Sequence, residues 1–384
     1  MTLHYLYPPR RDVLFVFGAG ASYADGAPLQ RDILPLFLSG SFFYTPNSPI
    51  GRPVVEFLQE YFHWDAEAGY YPPLEGVFAF LDYLIEQGQS LGERFPNDRL
   101  RLIRESLILV IHHIISASTG ATKTTYRRFW QEVGRRNRNI SVITLNYDTL
   151  LDEAFDPLFA EVAIIDYCID LLNYDHLIDI DPFDWWIDPR GPLPKWSSGN
   201  SPVPIKLIRP HGSLNWKYCS TCNGVLLTPW NTVVDLETGT LKSRDPNTLR
   251  ISLERQAEYR CPRDGTLFRT LLLPPSYWKS LRNPRIAELM LGAAAEIRAA
   301  RKIVFIGYSL PDADAHIKAL FAQNLSKTVS VLVVDPAHNP DLKCRYQALS
   351  PSVRFFNSPL KEVLADESAV GALFESGTSE VGNT

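Results

Sequence analysis

Asp12-Val13-Leu14-Phe15-Val16-Phe17 runs directly into Gly18-Ala19-Gly20-Ala21-Ser22. The unbroken apolar stretch predicts a strand buried on both faces, as in a parallel sheet. A glycine turn and a helix are expected to follow. Two further segments have the same grammar. Ile140–Thr144 (ISVIT) leads into Leu145-Asn146-Tyr147-Asp148 and a short helical stretch, TLLDEAF. Lys302–Ile306 (KIVFI) leads into Gly307-Tyr308-Ser309-Leu310 and the helical stretch DADAHIKALFAQNL, after which VSVLVVD ends on Asp335. Apolar strands alternating with helices predict an α/β fold, a Rossmann-like open parallel sheet. Ligands of such sheets sit outside the carboxyl ends of the strands, where GAGAS, LNYD, GYSL and Asp335 all fall.

Between these strands the chain makes excursions. Residues about 30–140 carry apolar positions at helical spacing, as in VVEFLQEYFHW and LEGVFAFLDYLIEQ, and predict a large helical insertion. Residues about 156–205 are rich in Asp, Pro and Trp without clean periodicity and predict an irregular insertion. A Cys-bearing subdomain is expected at about 214–270. The whole reads as one domain over residues 1–375, with 376–384 a small, polar, disordered tail.

Composition narrows the function. The 384 residues are 45% hydrophobic and 21% charged, enough for a sizeable core. The net charge of −5 and the lack of any Lys/Arg-rich run argue against direct nucleic-acid binding. No apolar stretch reaches the roughly 18 residues that span a bilayer, so no membrane association is expected. The opening MTLHYLYPPRRD lacks the apolar core of a signal peptide. Five cysteines, an odd count with one Cys-x-x-Cys pair, suit a reducing cytoplasm.

Each motif has a functional and a plain reading. In Gly18-Ala19-Gly20-Ala21-Ser22, glycines would let the backbone approach a pyrophosphate at a helix N-terminus, although the third glycine of the dinucleotide fingerprint is missing. The plain reading is a tight strand–helix turn, with Ser22 as a cap. Asn146 could hold a ribose hydroxyl or a water without adding charge, and Asp148 could bond a carboxamide, or the pair could simply cap the next helix. His211, in Pro210-His211-Gly212-Ser213, could be a general base, and the adjacent glycine would permit close approach of a ligand. Cys219 and Cys222 have metal-knuckle spacing, with Cys261 and Asp264 completing four possible ligands. That set is either a structural zinc site or a decayed one. Cys168 and Cys344 are isolated.

In order, these motifs resemble the sirtuin family, and more specifically the bacterial sirtuin-like domains of antiphage defence. GAGAS is similar to the family's phosphate-binding start. Gly26-Ala27-Pro28-Leu29-Gln30-Arg31 resembles its Gly-Ile-Pro-Asp-Phe-Arg, keeping Gly26, Pro28 and Arg31. LNYD resembles Gln-Asn-Ile-Asp, HGS the catalytic His-Gly, and GYSL the Gly-Thr-Ser-Leu. The cysteines fall at the zinc ribbon. The resemblance implies that Asn146 orients the nicotinamide ribose or attacking water and that His211 is the general base. It implies that Asp148 holds the nicotinamide amide and that Gly18, Ala19, Gly20, Ser22, Arg31, Gly307, Ser309 and Asp335 bind the rest of NAD.

Where deacylating sirtuins carry a Phe-Gly-Glu strand that pairs with acyl-lysine peptide, this chain reads Leu272-Leu273-Pro274-Pro275-Ser276-Tyr277-Trp278-Lys279. Prolines cannot donate to a β-ladder. The peptide groove is therefore not expected, and the stretch Leu273 to Lys279 resembles the defence-type proteins; that resemblance implies NAD hydrolysis to nicotinamide and ADP-ribose, depleting NAD in an antiphage response, with NAD as substrate. Protein deacylation and a non-catalytic NAD or ADP-ribose scaffold are the alternatives. The resemblance further implies control by assembly, as a homo-oligomer or with a HerA-like ATPase. The helical insertion and the stretch Asp181 to Trp196 are the candidate contact surfaces.

Overall fold

The computed structural model describes residues 7–40, 46–119, 124–155, 164–172, 204–228, 232–239, 241–243, 260–279, 281–337 and 339–375. Most of the irregular insertion, including Asp181 to Trp196, lies outside these residues, as does the 376–384 tail; its described part includes a short strand at Ile164–Asp166.

Strand β1 (Val13–Phe17) leads into the short helix α1 (Ala19–Tyr23). Helices α2 (Ile33–Leu38), α3 (Gly51–Tyr61), α4 (Leu74–Glu86), α5 (Asn97–Ser118) and α6 (Thr124–Arg136) follow. Next come β2 (Ile140–Thr144), α7 (Leu150–Phe155), β3 (Ile164–Asp166), β4 (Pro204–Ile208) and β5 (Gly212–Tyr218). Four short strands succeed them: β6 (Val225–Leu227), β7 (Thr232–Val234), β8 (Leu241–Ser243) and β9 (Arg269–Leu272). The last third holds α8 (Pro284–Ala299), β10 (Lys302–Ile306), α9 (Ala315–Asn324), β11 (Ser330–Val334) and α10 (Pro340–Leu349). Strand β12 (Arg354–Phe356), α11 (Leu360–Val363) and α12 (Glu367–Phe374) close the described chain.

Seven strands form one parallel sheet in the order β12-β11-β10-β1-β2-β4-β3. The fold is the expected Rossmann-like α/β sheet. Every residue of β1 is buried, because helices cover both faces. Phe15 and Phe17 point one way and meet Phe129 of α6, ring centroids 5.0 Å away from each, and Phe15 also meets Phe374 of α12 at 5.1 Å. Val16 points the other way and is in register with Phe305, which packs on Phe321 of α9 at 4.9 Å and Tyr346 of α10 at 5.0 Å. Burying each such ring contributes roughly 1.5–3 kcal/mol. Helix α8 begins sharply because Asn283 caps it, its side chain accepting from the amides of Arg285 and Ile286 with Pro284 at the first helical position.

The helical insertion has its own core of Phe37, Phe57, Phe78, Phe95, Leu107 and Ile111, distinct from the sheet core. Most of its aromatic residues serve that core: Phe57, Tyr61, Phe62, Phe80 and Phe95 pack on one another in tilted and edge-to-face contacts, while Tyr70 and Tyr83 are exposed. Helix α6, expected within the insertion, instead lays Tyr126, Phe129, Trp130 and Val133 on the sheet. The independent core thus stops at α5. The Cys-bearing segment forms the antiparallel sheet β6-β5-β9 and a turn at Arg260–Leu267. Among the described residues, no helix is long and apolar enough to cross a membrane.

Candidate functional site

The loops after β1, β2, β4 and β10 converge where the strand order reverses beside β1, at the carboxyl edge of the sheet. The first and last interlock through backbone. Gly20 donates its amide to Gly307 O at 2.9 Å, and Gly18 donates to Ile306 O at 2.9 Å. A Cβ on Gly18 would stand 2.6 Å from Gly307 O, and one on Gly307, whose φ is +59°, would stand 2.1 Å from Ala21 N. These glycines therefore admit another loop's backbone, the contact that sequence alone could not separate from pyrophosphate approach. Ala19 stays partly accessible and Gly20 exposed, so the rim of the turn faces outward.

Ser22 neither caps α1, whose N-cap is Gly18, nor faces outward. It is fully buried, bonded to Tyr126 Oη at 2.8 Å, and accepts from Asn146 Nδ2 at 2.9 Å. Asn146 Nδ2 also donates to Gly18 O at 3.0 Å. A carbonyl partner fixes that atom as the nitrogen, so Oδ1 is the group Asn146 has left to offer, an acceptor suited to a hydroxyl or a water. Burial raises the Tyr126 hydroxyl well above its ordinary range and keeps it protonated. Asp148 Oδ1 accepts from Leu150 N at 3.1 Å, so this residue does begin the turn into α7. Burial raises its carboxyl above the usual value.

His211 is buried beside this network. Its Nδ1 lies 3.2 Å from Leu145 O, which must accept, so Nδ1 carries the proton and Nε2 presents a lone pair. That Nε2 lies 3.0 Å from His316 Nε2 and 3.8 Å from Asp314 Oδ1. Tyr308 Oη donates to Asp314 Oδ2 at 2.9 Å, and the Lys279 ammonium pairs with Oδ1. Burial, reinforced by Lys279, pushes His211 down to about 4; burial, His211 and Lys279 push His316 down to about 3. Burial opposes ionisation of Asp314, yet His211 and Lys279 outweigh it and hold the carboxyl below its usual value. At neutral pH both imidazoles are uncharged.

Gly212, next to His211, has φ +73°, and a Cβ there would lie 2.0 Å from Leu271 O. The close approach expected of a ligand at this glycine is made by β9 instead. Leu273 N donates to His211 O at 2.9 Å and Tyr147 Oη to Leu273 O at 3.0 Å. Over Leu273-Pro274-Pro275 the one amide hydrogen is thus already engaged.

The loop after β2 is held by Arg209, which sequence analysis passed over. It is fully buried, with Nη1 donating to the carbonyls of Asn146 at 3.1 Å and Asp148 at 3.0 Å, and Nη2 paired with Asp152. Its signal was a second cation, after Lys206, directly following the strand PIKLI. Asp314, His316 and Lys279 were also passed over, though all three stand within motifs already singled out. Of the remaining expected residues, Ser309 is exposed on the same edge, its carbonyl accepting from Arg345 at 2.7 Å. Asp335 directly follows β11 and accepts from Ala337 N at 2.9 Å, with burial raising its carboxyl. Arg31 stands apart, its side chain 82% exposed beside Asp32.

Away from this edge, Cys219, Cys222, Cys261 and Asp264 bring their ligand atoms within 4.8 Å of one another. Cys222 Sγ is 3.5 Å from Cys261 Sγ, and the amides of Cys222 and Gly224 point at Cys219 Sγ (3.4 Å) and Cys222 Sγ (3.3 Å). Amides aimed at sulfur favour thiolates, so the donor set fits a thiophilic divalent ion.

No family model and no curated protein matches the sequence. Solved structures of Sir2 homologues align with nearly the whole chain. A mutant Sir2 homologue in complex with 2′-O-acetyl ADP ribose is 14% identical with a TM-score of 0.42, covering 96% of this chain and 94% of that one. A Sir2 homolog–NAD complex is 14% identical with a TM-score of 0.42, covering 95% and 90%. Sir2 bound to an acetylated peptide is 12% identical with a TM-score of 0.38, covering 97% and 100%.

Proposed function

We infer that this protein binds NAD at the carboxyl edge of the sheet and hydrolyses its bond to nicotinamide. The observation that carries this reading is the placement of Asn146 and His211 on one hydrogen-bonded frame. Asn146 is anchored on Gly18 of the glycine turn, and His211 is oriented by the carbonyl of the residue before Asn146. The resemblance of the same motifs to the sirtuin-like defence proteins supports it. Asp148, Ser309 and Asp335 line the strand ends where amide, phosphate and ribose would lie.

The chemistry asked of the site is small. Nicotinamide leaves NAD as a neutral molecule, taking the bonding electron pair. The developing sugar cation is trapped by water, whose oxygen forms the new bond to the ribose and whose proton passes to His211 Nε2. Asn146 Oδ1 positions the water or the ribose hydroxyl. The donor that meets His211 must take the place now held by His316. Positioning plus base catalysis accounts for on the order of 100- to 10,000-fold from His211.

The engaged amide of Leu273 and the two prolines after it disfavour protein deacylation, since an added peptide strand would find no free donor there. Zinc on Cys219, Cys222, Cys261 and Asp264 would tie the turn after β5 to the 260–267 turn, a structural role. An antiphage role, control by self-assembly and a HerA-like ATPase partner extend the same reading, and rest on the motif resemblance.

The test is to incubate the full chain with NAD, alone and with a neighbouring ATPase, and follow nicotinamide and ADP-ribose by chromatography. Equal amounts of both without any peptide, lost in Asn146→Ala and His211→Ala, are expected. Nicotinamide release only with acyl-lysine peptide would establish deacylation instead.

A further inference from the structure

We propose that His211, His316 and Asp314 form a second metal site, taking one divalent ion of the zinc class in competition with the Lys279 ammonium, and that the ion switches His211 off. The three donors come from two distant segments, the end of β4 and the start of α9, and their ligand atoms lie within 4.8 Å of one another. A tetrahedral ion with bonds of about 2.0–2.1 Å sets its ligand atoms about 3.3 Å apart. The distances of 3.0 Å between the two Nε2 atoms and 3.8 Å from His211 Nε2 to Asp314 Oδ1 bracket that spacing.

Orientation supports the assignment. Leu145 O holds the proton of His211 on Nδ1, as outer carbonyls do for metal-bound imidazoles, and so aims the Nε2 lone pair into the cluster. A single proton shared between the two Nε2 atoms answers one lone pair, whereas an ion answers both and the carboxylate as well. Two imidazoles and one carboxylate suit zinc over magnesium or calcium, and leave a fourth position for water. The cation now on Asp314 is Lys279, so an ion must displace it. Binding is therefore reversible and weaker than at the cysteine cluster. Binding does not depend on the proposed reaction; inhibition does, because the lone pair that would accept the proton becomes a metal ligand.

The experiment is zinc content per chain by mass spectrometry after dialysis of the full chain against a zinc series, for wild type, His316→Gln and Lys279→Met. Far-UV circular dichroism checks each fold. Wild type should hold one more zinc than His316→Gln, and Lys279→Met should load at roughly tenfold lower zinc, since a like charge is removed. Cobalt at the extra site should give visible bands without the sulfur charge-transfer absorption of the cysteine cluster. Equal zinc in wild type and His316→Gln, both folded, overturns the site. One extra zinc in a chain that never cleaves NAD keeps the site and removes the proposed function; cleavage that zinc leaves untouched, with no extra ion, does the reverse.

Discussion

Replacing Arg209 by Met tests how the site loop is built. The guanidinium has no exposure and holds the carbonyls of Asn146 and Asp148 at 3.1 and 3.0 Å while pairing with Asp152, itself 2% exposed. Met fills much of the same volume but leaves the Asp152 carboxylate buried with only Tyr167 Oη as its named partner. Removing one member of a buried pair costs about 3–5 kcal/mol. Against a typical total of about 5–15 kcal/mol this is a large fraction, and the melting point should fall by about 4–6 °C in a chain of this length. The pair itself is poorly compensated, because Arg209 Nε has no partner among the described residues. The double variant Arg209→Met/Asp152→Leu should therefore recover more than half of the loss. Urea unfolding and thermal melts of both single variants and the double variant complete the cycle. A single-variant loss below about 1 kcal/mol, or a double-variant loss equal to the sum of the singles, refutes the reasoning.

Other perturbations follow from the same geometry. Gly307→Ala combines left-handed strain with a backbone clash and should cost about 2–4 kcal/mol, whereas Gly265→Ala, with φ +74° and open space around it, should cost only about 1 kcal/mol; chemical denaturation compares them. His211 and His316 titrate near 4 and 3 in the folded chain but near 6.5 when unfolded, so the unfolded state binds more protons below pH 6.5. Their contribution to stability is present above that pH and lost as pH falls towards 4, and the urea midpoint should drop between pH 7 and pH 5, less steeply in His211→Phe. Asn146→Ala should lower NAD turnover by roughly 100-fold or more in a nicotinamide-release assay. Cys261→Ser, or chelation, should remove one zinc and lower the melting point without moving the far-UV spectrum of the parallel sheet.

The sheet was legible because β1 is an uninterrupted apolar run and β10 and β2 are nearly so, a pattern that a strand covered on both faces requires. The position of Asn146 and His211 at the carboxyl edge was legible because polar residues shortly after such strands lie there. What the glycines admit was not legible. A missing Cβ looks the same in sequence whether the visitor is a phosphate or the backbone of Gly307 and Leu271. Nor could spacing place α6, since the stripe Tyr126, Phe129, Trp130, Val133 shows that a helix buries one face but not which partner buries it. Arg209, Lys279 and His316 act through neighbours remote in sequence, and periodicity carries no such information.

The interlock of the Gly18 turn with Gly307 also governs when the groove can first exist. On a ribosome, β1 emerges well before its second neighbour, β10, which is 289 residues behind it, Phe17 pairing with Ile306. At elongation rates of roughly 5–20 residues per second, about 15–60 s separate the two. Until then the glycine turn has no backbone to dock on, and His211 has no His316 or Asp314 beside it. Nascent chains short of Asp314 thus cannot assemble the site, and a messenger cut before that codon yields a product without it.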